Sequence, residues 1–350
     1  MTARARGLVL AVVAGLSGAC DSASPDAAPQ PDASASSDAE VDAQLTFTPV
    51  RFDGHYYAHS VLRNRCDRFT HMVGSEPVEP GRYPVAIFVV GTSGVHDGPG
   101  IVDHVLPALA QQGFVAASLD YENETLFGAA QNCNLYRDNA SCMIRNDADH
   151  VAGERRSAIA QLCARPKADC SKGVVLFGHS QGGMTAIQAF QFDPVQPPIG
   201  EPLPRLVAVA PMGVGPLGYI AGIRMIDVRE CMTADTIAVA PTRLMVVNGE
   251  TDRYFNGPDG DQAGGQIALE TVTGRICAAP SWDCRDAAGD GYVLVKPSEL
   301  SHGRAAHDYM HDFNASPVVA FGEPNWISPA NLAPWGLYAT ARWLKAHTGP

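Results

Sequence analysis

The fold is decided by residues 173–190, which read GVVLFGHSQGGMTAIQAF. The first part, Gly173–Phe177, is a continuous apolar run of the kind found in the buried strands of a parallel sheet. The glycine-rich segment Gly178–Gly183 predicts a sharp turn, and Met184–Phe190 has a helical pattern. These residues therefore predict a strand, a tight turn that carries Ser180, and a helix, in that order.

Strands and helices alternate on both sides of this stretch. Pro84–Val90 and Phe114–Leu119 predict buried strands that flank a helix at Ile101–Gln112. The other predicted elements are leading strands within Leu45–Met72, a helix at Asp149–Arg165, strands at Leu206–Ala210, Leu244–Asn248 and Tyr292–Val295, and a final helix at Leu337–Ala346. Such alternation predicts an α/β fold, with a mostly parallel central sheet and helices on both faces.

Ser180 is the candidate nucleophile. A serine hydroxyl reacts poorly at neutral pH, so an enzyme must expose it beside a base and beside hydrogen-bond donors for the oxyanion. The pattern Gly178-x-Ser180-x-Gly182 on a strand-to-helix turn exposes the serine, and the helix N-terminus favours developing negative charge. His179, the neighbouring residue, is predicted to pack beneath the turn.

The strand, turn and helix around Ser180 resemble the α/β-hydrolase family, and the resemblance extends from about Tyr83 to the C-terminus. In that family the serine, the acid and the histidine follow one another along the chain in that order. The resemblance implies that Asp252 is the acid, because it lies in a Gly-x-x-Asp turn directly after a strand. Glu250, in the same turn, is the alternative, and a solvated turn acid is the non-functional interpretation.

The resemblance also implies a base in the loop after the last strand. His302 lies in that loop, before a final helical stretch, and is the predicted base. His307 and His311 follow at helical spacing, which is typical of an exposed polar helix face. His307 is the alternative base, and the spacing of these two histidines could suggest metal binding, but the sequence identifies no third ligand.

The family's oxyanion donors are the amide after the nucleophile and an amide from the loop after an earlier strand. They correspond to Gln181 and to either Thr92 or Ser93, in the turn that follows Pro84–Val90. Asp120, Tyr121 and Glu122 follow the next strand and either line the substrate cleft or form an ordinary polar loop.

The activity implied by the resemblance is carboxylic ester hydrolysis through an acyl-enzyme, with no cofactor. Lipase, polyester hydrolase, thioesterase and peptidase activity are alternatives, because a fold does not determine a function. A catalytically silent surface domain is the alternative of another class. A formal net charge of −12 argues against binding to a phosphate backbone, so nucleic acid is not an expected partner.

The N-terminal residues predict export. Residues 1–19 have the basic start and short apolar run of a signal peptide, followed by Cys20 in a sequence similar to a bacterial lipobox. Residues 20–44 are predicted to form a disordered Ala/Ser/Pro/Asp linker, and residues 45–350 to form the catalytic domain. The protein is thus expected to be secreted, periplasmic or a cell-surface lipoprotein, with membrane anchoring if Cys20 is lipidated.

Eight cysteines follow Cys20, an even number that favours disulfides in an exported protein. Proximity in sequence favours the pairs Cys133–Cys142, Cys163–Cys170 and Cys277–Cys284, which leave Cys66 and Cys231, although 105 pairings are formally allowed. Two insertions that contain cysteines, Tyr121–Asp149 and Gly257–Asp290, are predicted to shape the pocket.

Overall fold

The computed structural model describes most of the chain from residue 46 onward. The described residues are 46–60, 62, 65–123, 133–144, 157–190, 206–220, 223–233, 243–255, 263–277, 283–313 and 320–350. They belong to one compact unit. The predicted signal peptide at residues 1–19 and the predicted linker at residues 20–44 lie outside the described residues.

A nine-stranded sheet forms the centre of the described structure, and two small two-stranded sheets accompany it. The strands are β1 (Pro49–Ser60), β2 (Arg65–Pro77), β3 (Val85–Val89), β4 (Val115–Leu119), β5 (Val174–His179), β6 (Leu206–Met212), β7 (Leu217–Ile220), β8 (Ile223–Asp227), β9 (Met245–Gly249), β10 (Asp283–Arg285), β11 (Gly291–Val295), β12 (His311–Asp312) and β13 (Ala320–Phe321). The large sheet has the order β1-β2-β4-β3-β5-β6-β9-β11-β10.

The middle of the large sheet is parallel, from β4 through β3, β5, β6 and β9 to β11. Antiparallel pairing occurs only toward its edges, between β1 and β2, β2 and β4, and β10 and β11. Every residue of β3, β4, β5, β9 and β11 is buried, so both faces of the sheet are covered. The predicted α/β fold class, with a mostly parallel central sheet covered on both faces, is therefore confirmed.

Helices cover the sheet in groups. They are α1 (Leu106–Gln111), which continues a π-helical turn at Ile101–Val105, α2 (Cys133–Ile144), α3 (Ala158–Cys163), α4 (Gln181–Gln188), α5 (Ala263–Thr273), α6 (Pro324–Ile327) and α7 (Leu337–Ala346). Helix α1 packs against α7, α2 packs against α3 and α4, and α5 packs on β9 and β11. Within the described ranges, no helix has both the length and the apolar character needed to cross a membrane.

The predicted elements agree with the structure where the hydrophobic pattern is strong. The strand, turn and helix of residues 173–190 are present, and the final helix has the predicted bounds. The helix predicted at Asp149–Arg165 begins only at Ala158, because the extended backbone of Ser157 caps it and the Ser157 hydroxyl accepts a hydrogen bond from the Ala160 amide. Residues 149–156 lie outside the described residues.

Two of the disulfides favoured by proximity in sequence are present, Cys163–Cys170 and Cys277–Cys284. Cys66 and Cys142 form a third, at a Cα–Cα distance of 5.4 Å, which contradicts both the pairing of Cys142 with Cys133 and that of Cys66 with Cys231. The reason is tertiary: α2 packs against β1 and β2, so Cys142 meets a strand that lies 76 residues away in sequence. Cys133 is also disulfide-bonded.

Candidate active site

Ser180 lies between the end of β5 and the start of α4, at the carboxyl edge of the parallel strands. Its backbone has φ 54° and ψ −123°, a conformation that residues with a side chain rarely adopt. Its amide donates to the carbonyl of Met212 at 2.8 Å, which ties the turn to the end of β6. This strained turn is the geometry that the Gly-x-Ser-x-Gly pattern predicted.

The glycines that flank Ser180 are needed for close packing. A Cβ atom on Gly182 would lie 2.1 Å from the carbonyl oxygen of Val89, and one on Gly178 would lie 2.7 Å from the carbonyl carbon of Gly182. A Cβ atom on Gly91 would lie 3.1 Å from the Cβ atom of Ser180. Glycine at these positions lets α4 cross the end of β3 and brings the turn after β3 beside Ser180.

Asp252 occupies the turn after β9 and has no solvent exposure. Its Oδ1 accepts from the amides of Tyr254 at 2.9 Å and Phe255 at 3.3 Å. Its Oδ2 lies 2.9 Å from Nδ1 of His307. The backbone amides therefore orient the carboxylate toward one imidazole, and Asp252 rather than Glu250 receives that contact.

The imidazole that contacts Asp252 belongs to His307, so the prediction that His302 is the histidine beside the acid is corrected. Nε2 of His302 lies 3.1 Å from the carbonyl oxygen of Tyr309, and its Nδ1 accepts from the amide of Arg304 at 3.1 Å. Both nitrogens of His302 thus hold the loop in which His307 lies. The helix expected after His302 is also absent from the described residues 302–313, which form turns and the short strand β12.

Backbone contacts explain why the loop presents His307. The amide of Thr251 donates to the carbonyl of Ala305 at 2.7 Å, and a Cβ atom on Gly249 would lie only 2.2 Å from that same oxygen. The loop therefore lies directly on the turn after β9. His179 holds it from below, since its Nε2 lies 2.9 Å from the carbonyl oxygen of His307.

The two neighbouring imidazoles have opposite pKa shifts. Burial lowers the pKa of His179 well below its usual value, and His307 and His311 lower it further, so its ring is neutral and Nε2 donates to the His307 carbonyl. Burial also acts to lower the pKa of His307, but the charge and hydrogen bond of Asp252, assisted by Asp308, raise it overall. Asp252 therefore stabilises the protonated form of His307, which is what a general base requires after it takes a proton.

The turn after β3 contains the predicted oxyanion donors, and the structure distinguishes between them. The Ser93 amide donates to the carbonyl of Asn123 at 3.1 Å, so it is already engaged. The amides of Thr92 and Gln181 donate to no other described residue. The Thr92 hydroxyl donates to Oε1 of Gln181 at 2.8 Å, which joins the two segments directly.

Asn123 supports this turn and was missed by sequence reasoning. It is 6% exposed, and its Nδ2 donates to the carbonyls of Gly91 and Gly94, each at 2.8 Å. Beside it, the Tyr121 hydroxyl donates to the carbonyl of Val90 at 2.6 Å. Polar residues that follow a parallel strand gather at its carboxyl edge, and this signal indicated residues 120–122 but stopped one residue short of Asn123.

Ser180, His307, Thr92 and Gln181 all line one cavity of about 410 Å³. The hairpin of β7 and β8, which the hydrophobic pattern did not predict, contributes Tyr219 to the wall. The Tyr219 amide donates to the carbonyl of Tyr254 at 2.7 Å, so this hairpin is joined to the turn that carries Asp252. One cavity is thus bordered by the strained Ser180, by His307 in contact with buried Asp252, and by Thr92 and Gln181, whose amides have no acceptor among the described residues.

Comparisons with known proteins identify no family by sequence. No family model matches the chain, and no curated protein matches it. Among solved structures, it is similar to a dienelactone hydrolase-like promiscuous phosphotriesterase from metagenomic libraries, with 14% identity and a TM-score of 0.44 over 86% of this chain and 100% of the other. It is also similar to a PEG-bound cold-adapted esterase from an Arctic intertidal metagenomic library, with 10% identity and a TM-score of 0.48 over 86% of this chain and 95% of the other.

Proposed function

We propose that the chain is a serine hydrolase that cleaves carboxylic esters, with Ser180 as nucleophile, His307 as base and Asp252 as the acid that orients the base. The observation that carries this proposal is the contact between buried Asp252 and His307, since the imidazole of His307 borders the same cavity as the strained Ser180. Hydrogen bonding to Asp252 through Nδ1 leaves Nε2 of His307 as the atom that takes the serine proton.

In the proposed reaction, Oγ of Ser180 attacks the ester carbonyl while Nε2 of His307 takes its proton. The amides of Thr92 and Gln181 donate to the resulting oxyanion. The imidazolium returns the proton to the leaving alcohol as the carbon–oxygen bond breaks, which produces an acyl-enzyme. Water then attacks the acyl group with the same assistance, and the carboxylic acid leaves Ser180 free.

Export is part of the proposal. Disulfides form and persist mainly in oxidising compartments, and the Cys66–Cys142, Cys163–Cys170 and Cys277–Cys284 bonds support a location outside the cytoplasm. Lipidation at Cys20 remains a proposal, because that residue lies outside the described part of the chain. Mass spectrometry of the processed N-terminus would distinguish a diacylated Cys20 from a free one.

Labelling with a fluorophosphonate tests the proposed chemistry. The wild type is expected to bind one equivalent at Ser180 and to lose aryl-ester hydrolysis in proportion to labelling. Ser180→Ala should neither be labelled nor turn over ester, while it retains the melting temperature of the folded protein. A wild type that stays unlabelled, or a Ser180→Ala variant labelled equally well, would favour a catalytically silent binding domain instead.

A further inference from the structure

The cavity beyond the reacting groups has a one-sided chemical character. No lysine or arginine occurs among the described residues that line it. Five tyrosine and phenylalanine residues contribute to its walls, namely Tyr136, Tyr219, Tyr254, Phe255 and Phe321. Tyr254 is 48% exposed, and its ring centroid lies 4.8 Å from that of His307, so an aromatic face borders the base.

Asp308 places a negative charge on this cavity wall. Its side chain is 36% exposed and directly follows the base in sequence. Nδ1 of His311 lies 4.0 Å from its carboxylate. Because burial lowers the pKa of His311 to about 4, that imidazole is neutral at pH 7 and does not balance the charge.

Two independent features therefore disfavour an anion in the cavity. Asp308 would repel it at short range, where partial exclusion of water strengthens the repulsion. Aromatic faces carry negative electrostatic potential, so they attract cations and repel anions. The formal net charge of −12 acts in the same direction over a longer range.

We propose that the substrates are esters without an anionic group, with cationic and uncharged esters accepted and carboxylate-bearing esters rejected, and that Asp308 is the residue that discriminates among them. This inference rests on the proposed ester hydrolysis. Asp308 acts on substrate choice and is distinct from the residues that carry the reaction. Uncharged planar groups stack on the aromatic walls, whereas cationic groups gain additional attraction from the rings and from Asp308.

Three nearly isosteric esters separate charge from shape: 4-acetoxybenzamide, 4-acetoxybenzoate and 4-acetoxybenzamidine. Their kcat/KM values are measured at pH 8 and divided by the rate at which hydroxide hydrolyses each ester, which corrects for leaving-group reactivity. We expect the wild type to hydrolyse the benzoate at least about tenfold less efficiently than the benzamide, a difference of ~1.4 kcal/mol. The benzamidine should be hydrolysed at least as efficiently as the benzamide.

Asp308→Asn tests the assigned residue, and Asp53→Asn is its matched control. Asp53 is exposed on the edge strand β1 and does not line the cavity, so both variants lose one negative charge. Asp308→Asn should raise the benzoate-to-benzamide ratio about threefold or more, and Asp53→Asn should leave it unchanged. Using a ratio within each variant cancels any effect of Asp308 on the basicity of His307. If Asp308→Asn does not fold, Asp308→Ser replaces it.

Binding of the same three esters to the Ser180→Ala variant, measured by saturation-transfer NMR, provides a readout that needs no turnover. The inference would be overturned, while ester hydrolysis stands, if the wild type had equal corrected kcat/KM values for the benzoate and the benzamide. It would also be overturned if Asp308→Asn and Asp53→Asn changed the benzoate-to-benzamide ratio equally. If the wild type hydrolyses none of the esters, the proposed function fails, and the binding order decides this inference separately. The inference would then be overturned if the benzoate bound as tightly as the other two esters, and supported if the benzoate alone failed to bind.

Discussion

At the scale of single residues, five positions separate His302 from His307, yet only His307 meets Asp252. The loop of His302 follows β11, which pairs in parallel with β9, so this loop and the turn that carries Asp252 leave the sheet side by side. Sequence order identifies the loop but not which of its histidines points inward. That choice depends on backbone contacts such as the bond from the Thr251 amide to the Ala305 carbonyl.

Substitution of the two histidines distinguishes their roles. His307→Ala should lower kcat/KM for an aryl ester by about 10⁴-fold, because Ser180 would lose its proposed base. His302→Ala removes the hydrogen bonds to the Arg304 amide and the Tyr309 carbonyl, so it should lower kcat/KM less than about 100-fold and also lower the melting temperature.

The pH profile is a second readout of the same assignment. Because Asp252 raises the pKa of His307, kcat/KM of the wild type and of His302→Ala should rise with pH through a midpoint above ~6.5. The opposite ranking, with His302→Ala the more damaging variant, would return the role of base to His302.

At the scale of elements, the Cys66–Cys142 disulfide joins β2 to α2, the helix that carries Tyr136 into the cavity wall. Closing a chain of 76 residues restricts the unfolded state more than closing one of 7 residues, the separation between Cys163 and Cys170. The long-range bond should therefore stabilise the fold more than the local one.

Paired alanine substitutions measure this difference. The Cys66→Ala/Cys142→Ala protein should lose about 4 kcal/mol in its free energy of unfolding, and the Cys163→Ala/Cys170→Ala protein about 2 kcal/mol, from loop-closure entropy. Guanidinium denaturation under oxidising conditions provides both values, after mass spectrometry confirms that the other disulfides remain. Equal losses, or a larger loss from the local pair, would show that chain entropy does not set the ranking.

At the scale of the whole molecule, the sequence predicted features that depend on neighbouring residues and missed features that depend on residues distant in sequence. The apolar run of β5, the glycines around Ser180 and the amphipathic helix α7 are local patterns, and each predicted its element. The partner of Cys142 and the choice of His307 depend on elements that meet only after the sheet has formed. Local periodicity carries no information about such meetings, so these features required the structure.

The histidine cluster of His179, His307 and His311 also belongs to the whole molecule, because its members lie in β5, in the loop after β11 and in β12. The ring centroid of His179 lies 4.8 Å from that of His307 and 5.8 Å from that of His311. Burial lowers the pKa values of His179 and His311 in the folded state. The free energy of unfolding is therefore undiminished by them above pH ~6.5, and it decreases as the pH falls toward 4. His307 has the opposite sign, since its raised pKa contributes stability that is full below ~6.5 and is lost at higher pH.

Acid should therefore destabilise the fold through His311, and removing this imidazole should weaken the effect. Between pH 7 and pH 4.5, the free energy of unfolding of His311→Leu should fall by ~2–3 kcal/mol less than that of the wild type, since each unit of pKa shift corresponds to ~1.4 kcal/mol. Urea denaturation at a series of pH values measures the difference, with His104→Gln as a control outside the cluster. Equal acid sensitivity of the wild type and His311→Leu would contradict the prediction, because the cost of protonating a buried imidazole must disappear with the imidazole.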